Sequence, residues 1–179
     1  PNAILNAEKI GLNHGAALYP MVTANGEECH NEWEITFEEI HRNAAIAQAI
    51  KKYLNFSNDN EFMINKGIKI LIAISRFWEQ RVNYSNALNK YVILGVTGPN
   101  EYENNVDNNW YTNYSAKWCL EYTTQILKKI ADTNLDHYKK ILNETSLEKT
   151  EISNWNKIIE NIYLPYCKDL DVFIQNDGF

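Results

Sequence analysis

Two stretches of this sequence concentrate side chains that bind polar ligands or move protons. One is Gly95-Val96-Thr97-Gly98-Pro99-Asn100-Glu101-Tyr102-Glu103-Asn104-Asn105-Val106-Asp107-Asn108-Asn109-Trp110-Tyr111, in which carboxylates, amides and aromatic rings alternate. Carboxylates and amides make the paired polar contacts that sugar hydroxyls need, and flat apolar rings match the face of a pyranose. The composition points to a neutral carbohydrate, with Asn100 and Asn104 as candidates for hydroxyl contacts. The competing reading is an ordered Asn-rich turn, because Asn and Asp bond readily to neighbouring backbone, and composition does not separate the two.

The other stretch, Asn25-Gly26-Glu27-Glu28-Cys29-His30-Asn31-Glu32-Trp33-Glu34, places carboxylates, an imidazole, a thiol and an indole directly ahead of an expected helix. A helix entrance is a common place for a site. Neighbouring His and Glu residues do not point at one centre, and His41 falls inside the helix, so no metal is expected. The plainer reading is that the acids favour the helix N-terminus electrostatically while Trp33 packs beneath them.

These loops need a rigid frame, and the rest of the sequence reads as helix. Thr36 and Glu39 stand at capping-box spacing, flanked by Ile35 and Ile40 at staple positions, so a helix is expected from Thr36 to about Asn55. Phe37, Ile40, Ala44, Ala47, Ile50 and Leu54 form its apolar stripe. A turn at Asn55–Asn60, with Asp59 or Asn60 as cap, leads to a second helix ending near Arg81, whose apolar residues occupy several faces and predict burial on several sides. Further helices are expected over Val106–Ala131, around Ile152–Ile162 before Pro165, and over Ala3–Leu12 and Asp136–Asn143. Gly95 to Pro99 ends any regular element. No fixed repeat period is visible, which argues against a regular solenoid.

With 179 residues, 45% hydrophobic and 22% charged, the chain has an ordinary globular composition. A mean hydropathy of −0.46 and the lack of a long apolar run exclude a helical membrane span. The net charge of −6, without a Lys/Arg cluster, disfavours nucleic acid or anionic lipid as a partner. Cys29, Cys119 and Cys167 are odd in number and far apart, which fits a reducing compartment better than a disulfide framework or zinc site. Pro1 at the start and the abrupt stop at Phe179 suggest a piece of something longer.

The run His30-Asn31-Glu32-Trp33-Glu34-Ile35-Thr36-Phe37-Glu38-Glu39-Ile40-His41-Arg42-Asn43, together with Gly95 to Tyr111, closely resembles glycoside hydrolase family 65, its maltose phosphorylases in particular. Gly15-Ala16-Ala17-Leu18-Tyr19-Pro20-Met21 and the segment Trp155 to Pro165 look like the same family, so the resemblance spans nearly the whole chain. It implies an all-α fold in which residues 1–179 are a central fragment of an (α/α)6 toroid, built of helical hairpins with long polar loops.

The resemblance further implies that Glu101 is the general acid and protonates the glycosidic oxygen while inorganic phosphate attacks the anomeric carbon from the opposite face. Maltose would give β-glucose 1-phosphate and glucose, with inversion. An inverting hydrolase needs a second carboxylate to activate water, whereas phosphate brings its own negative oxygens, so one acid suffices. That role requires Glu101 to hold a proton near neutrality, through burial or a neighbouring negative charge, with Glu103 and phosphate as contributors. Glu103 is also the rival acid. By the same resemblance His30, Asn31 and Glu32 border the acceptor-sugar subsite, phosphate contacts lie in a part of the barrel outside this chain, and the full-length protein is a cytoplasmic homodimer. No organic cofactor is expected, the partners being a disaccharide and phosphate, and the fragment alone should lack phosphorylase activity. The alternatives are a trehalose or kojibiose phosphorylase, a glucoamylase-like hydrolase of the same fold, or a non-catalytic helical sugar-binding or scaffold module.

Overall fold

A computed structural model describes residues 1–29 and 35–179. In chain order the elements are α1 (Asn2–Lys9), α2 (Ile35–Glu38), α3 (Arg42–Ser57), α4 (Asn60–Phe62), a π-helical turn at Met63–Gly67 running directly into α5 (Ile68–Arg81), α6 (Trp110–Thr133), α7 (Leu135–Thr145) and α8 (Lys149–Asn161). Two short antiparallel hairpins, β1 (Asn83–Ser85) with β2 (Lys90–Val92) and β3 (Tyr166–Cys167) with β4 (Val172–Phe173), interrupt the helices.

Helix α5 is buried on several sides, as its apolar distribution requires: Ile68, Leu71, Ile72, Ile74, Phe77 and Trp78 all lie in the core. Helix α6 packs along it, and the two are pinned where Ser75 Oγ donates to Thr123 Oγ1 at 2.9 Å. Burying hydroxyls there costs little because each is bonded; Thr123 Oγ1 also donates to the Cys119 carbonyl at 2.8 Å. Helix α8 closes the other flank with the fully buried Trp155, whose Nε1 donates to Glu79 Oε2 at 2.7 Å.

Local chemistry fixes the helix ends. Asp59 caps α4 by accepting from the Phe62 amide at 2.9 Å, one of the two caps expected from the sequence. Asn134 ends α6 and begins α7, accepting from the His137 amide at 3.0 Å. A capping box between Glu148 and Glu151 starts α8.

Three expectations differ from what is found. The helix expected from Thr36 to Asn55 is broken at residues 39–41 into α2 and α3, and Thr36 lies within α2 rather than capping a helix. Tertiary bonds win over the helical ladder there: the Asn43 side chain donates to the Ala17 carbonyl at 2.9 Å and accepts from the Tyr19 amide at 2.9 Å, and Arg42 Nε donates to the Tyr19 carbonyl at 2.7 Å. The helix expected from Val106 begins instead at Trp110, because Val106 exchanges both backbone hydrogen bonds with Val96, at 2.8 and 2.9 Å. Both hairpins are additions to the all-helical reading, and β2 takes up the start of the apolar run Tyr91–Leu94.

Candidate active site

The Asn-rich stretch folds as a loop with a closed stem and an open tip. Gly95 begins it at φ +60°, a conformation that favours glycine, and its amide donates to Asp107 Oδ1 at 3.0 Å. Above the Val96–Val106 bridge, Thr97 is fully buried, and its hydroxyl donates to Glu38 Oε2 at 2.5 Å. The same carboxylate oxygen accepts from the Asn105 amide at 3.1 Å, and the Thr97 amide donates to the Glu38 carbonyl at 3.3 Å. Glu38, the last residue of α2, therefore grips both strands of the stem.

Below the stem, Asn108 and Asn109 are buried and hydrogen-bonded. Asn108 Oδ1 accepts from the Ile93 amide at 3.3 Å and from Asn113 Nδ2 at 3.2 Å, while its Nδ2 donates to Asp177 Oδ2 at 2.7 Å. Asn109 caps α6, accepting from the Thr112 amide at 3.1 Å and the Thr112 hydroxyl at 3.2 Å. For these two residues the plain structural reading of the Asn-rich run is the correct one. Gly98 is required beside them, since a methyl group there would overlap the Asn109 side chain, 2.6 Å from its Cγ.

The tip is the turn Asn100–Glu103, closed by the Glu103 amide donating to the Asn100 carbonyl at 3.2 Å. Glu101 sits here, exposed, and among the described residues it is in no ion pair. Asn104 is exposed on the return strand, and Glu103 is less exposed than Glu101. The Asn100 side chain is held on both sides: its Oδ1 accepts from the Tyr102 amide at 3.4 Å and its Nδ2 donates to Gln175 Oε1 at 3.1 Å. It lines a cleft of about 370 Å³ whose walls are Pro99, Asn109, Trp110, Tyr111, Phe173, Ile174, Gln175 and Phe179. Trp110 is stacked on Tyr114 at 4.9 Å and lies 4.7 Å from Phe173, so one wall of the cleft is a continuous aromatic surface. Rings of this kind beside amides form a surface suited to a sugar.

The corner between α2 and α3 supports the tip from below. His41 meets Tyr111 edge-on at 5.5 Å; burial pushes its imidazole below the ordinary value, with the Thr97 backbone opposing and the Arg42 charge adding to the decrease. Arg42 donates to the Glu39 carbonyl at 2.9 Å and lies 3.8 Å from Glu28, and burial lowers its guanidinium pKa against the pull of Glu28 and Glu39. Glu28 in turn accepts from the Met21 amide at 2.7 Å and the Val22 amide at 3.1 Å. Of the acidic stretch 25–34, this member is a structural brace for the loop ahead of the helix. His30, Asn31 and Glu32 lie outside the described residues. Among the described residues no group of three His, Cys, Asp or Glu side chains is arranged to hold a metal ion.

Sequence spacing makes Glu39 one half of a capping box. In the structure it is buried at the α2–α3 corner, and its carboxyl is raised above the ordinary value by burial first and by the Glu101 charge second, with Arg42 opposing. Glu38 and Glu39 thus belong to the site, although sequence spacing gives Glu39 only a capping role and Glu38 none. Phe173 and Gln175 were missed altogether. They arrive from the β3–β4 hairpin, and no local pattern reports a partner 75 residues away.

The model of the glycosyl hydrolase family 65 central catalytic domain matches residues 1–179. The chain belongs to this family. Among family 65 relatives it is 52% identical to maltose phosphorylase of Bacillus subtilis (strain 168), over 97% of this chain and 22% of that protein. It is 41% identical to an α,α-trehalose phosphorylase of Thermoanaerobacter brockii, over 94% of this chain and 22% of that protein. A solved structure of a candidate kojibiose phosphorylase from the human microbiome superposes with a TM-score of 0.87 at 30% identity, covering 99% of this chain and 25% of that one. The chain spans about a quarter or less of the length of these relatives. Its helices are a segment of the family 65 (α/α)6 catalytic domain.

Proposed function

We propose that this chain forms the acid-bearing part of a disaccharide phosphorylase that cleaves maltose with inorganic phosphate, giving β-glucose 1-phosphate and glucose with inversion. The observation that carries the reading is the placement of Glu101: an exposed carboxyl that is in no ion pair among the described residues, at the tip of a loop clamped by Glu38, next to Asn100, which lines an aromatic cleft. A general acid needs a fixed position and an open approach, and the stem supplies the first while the turn supplies the second. Asn100 and the exposed Asn104 are the amides nearest in sequence for sugar hydroxyls, and His30, Asn31 and Glu32 are assigned to the acceptor sugar.

Maltose is preferred over α,α-trehalose as the substrate because identity to the maltose phosphorylase is 52%, against 41% to the trehalose phosphorylase. Phosphate contacts are assigned to parts of the catalytic domain outside this chain. The same reading places the full polypeptide in the cytoplasm as a homodimer; light scattering on the purified protein tests the dimer.

The test of the acid is Glu101→Gln in the full polypeptide that bears this chain. Phosphate-dependent release of glucose 1-phosphate from maltose should fall by about 10²–10⁴-fold, the usual contribution of a positioned general acid, with the fold retained. Substantial remaining activity removes Glu101 from the role, and maltose cleavage that proceeds equally well without phosphate makes the protein a hydrolase instead.

A further inference from the structure

The tip that carries Glu101 has few anchors. Glu38 holds the stem below it, through Thr97 and Asn105. Among the described residues, a single hydrogen bond ties residues 100–103 to another part of the chain: Asn100 Nδ2 donates to Gln175 Oε1 at 3.1 Å. Asn100 is also the residue that closes the tip, its carbonyl accepting from the Glu103 amide and its Oδ1 from the Tyr102 amide. Whatever fixes Asn100 therefore fixes the turn in which Glu101 sits.

Gln175 can do so because the segment bearing it is fastened to the base of the same loop by bonds of its own. The Gln175 carbonyl accepts from the Trp110 amide at 2.8 Å, satisfying one of the amides that the first turn of α6 leaves without a helical partner. Two residues on, the Asp177 amide donates to the Asp107 carbonyl at 3.0 Å, and the Asp177 carboxylate accepts from Asn108 Nδ2 at 2.7 Å. Asn176 between them is 2% exposed, and the turn that follows, with Gly178 at φ +80°, is closed by the Phe179 amide donating to the Asn176 carbonyl at 3.2 Å. The Gln175 side chain is used at both ends, its Oε1 toward Asn100 and its Nε2 donating to Asn176 Oδ1 at 3.2 Å. It is an arm of fixed orientation that stands on the loop's base and reaches its tip.

We infer that Gln175 is a positioning residue for the proton transfer: it holds Asn100, and through Asn100 the tip turn, so that Glu101 stays within reach of the glycosidic oxygen. The inference rests on Glu101 being the general acid. In that step the Glu101 proton passes to the glycosidic oxygen, the C–O bond to the leaving glucose breaks, and a phosphate oxygen bonds to the anomeric carbon. Gln175 takes no part in these bonds. Its contribution is geometric, since an acid on a turn free to swing is out of reach part of the time, and a displacement of about 1 Å can cost on the order of 10²-fold in rate. The two clasps act on different parts of the loop: Glu38 fixes the stem against α2, and Gln175 fixes the direction of the tip.

Gln175→Met in the full polypeptide is the experiment, read with two glucosyl donors. Maltose needs the acid because its leaving oxygen must be protonated, whereas the fluoride of α-glucosyl fluoride departs as an anion when phosphate attacks, with little need of a proton. The variant should lose about tenfold or more in kcat for maltose phosphorolysis, with KM within about twofold, and far less of its rate with the fluoride. Gln175→Glu keeps an oxygen to accept from Asn100 and should recover most of the maltose rate. Equal losses on both donors, no loss on either, or a Gln175→Glu rate no better than that of Gln175→Met each overturn the proposal and leave Gln175 a packing residue of the cleft. Should Gln175→Met not fold, Gln175→Ser, too short to reach Asn100, carries the same expectations at this half-buried position. Glu101→Gln separates the inference from the reading it rests on: retained maltose phosphorolysis there defeats the acid assignment, whereas its loss beside unaffected Gln175 variants defeats the clasp alone.

Discussion

Glu38 and Thr97 are 59 residues apart in sequence, and their side chains meet in a 2.5 Å hydrogen bond that joins the end of α2 to the stem of the loop bearing Glu101. Thr97 is fully buried, so its hydroxyl has no water to fall back on. Thr97→Val preserves the shape and deletes the donor. It should lower stability by about 1–2 kcal/mol, read from the urea midpoint, and in the full polypeptide should reduce kcat more than it raises KM for maltose, because the tip is less well placed. An unchanged midpoint would mean that the stem is held by its backbone bonds alone.

Gly98 is a second sensitive point. Any Cβ there collides with Asn109, whose Oδ1 accepts from the Thr112 amide and caps α6. Gly98→Ala should cost at least the value of that cap, about 1 kcal/mol, and more if the stem must open to make room. Denaturant unfolding checks it, and the double variant Gly98→Ala/Asn109→Gly should recover part of the loss; failure to recover any would place the strain elsewhere.

Far from the site, Arg76 binds Glu151 through two bonds, Nε to Oε2 at 2.7 Å and a terminal nitrogen to Oε1 at 3.0 Å, and also donates to the Thr145 carbonyl at 3.0 Å. Burial pushes the Glu151 carboxyl up, but the bonds from Arg76 and from the Glu148 amide outweigh it, and the net shift is downward from 4.5. A carboxyl lowered on folding adds stability that is complete above its unfolded value and disappears as pH falls through the folded value. Glu151→Gln should lower stability at pH 7 and flatten its decline below about pH 4.5. Urea titrations at several acidic pH values would show an undiminished slope if the pair had no such role.

Cys119 supplies the alkaline counterpart. Its thiol is fully buried in α6, and burial raises it from 9.0 to about 12 against a contact with Trp78 that lowers it. The folded state therefore keeps a proton that the unfolded chain gives up, so this contribution is intact below about pH 9 and is lost as pH climbs toward 12. Cys119→Ser or Ala should reduce that alkaline slope. In native protein a thiol reagent should label the exposed Cys29 rapidly and Cys119 only on unfolding; prompt labelling of Cys119 would show that α6 opens locally.

Most of the helices could be read from local pattern, because periodicity and caps act over a turn or two. Asp59, the several-sided apolar content of α5 and the stop before Pro165 each specify an element from within a few residues. The break at residues 39–41 could not be read in this way. There, Asn43 and Arg42 bond to Ala17 and Tyr19, contacts that span more than twenty residues and override a helix-compatible sequence. The same limit hid the second hairpin's contribution to the cleft.

What the sequence determined by itself was the helical frame and the chemistry of the loop, since residue types at fixed spacing set propensity, capping and the identity of the carboxyl at position 101. What the folded chain decided was how each carboxyl is held. Glu38, Glu39 and Glu101 differ little as letters; one became a clamp, one a buried carboxyl and one an exposed carboxyl at a loop tip. Desolvation and hydrogen bonding depend on what surrounds a group in space, and a one-dimensional pattern does not contain that.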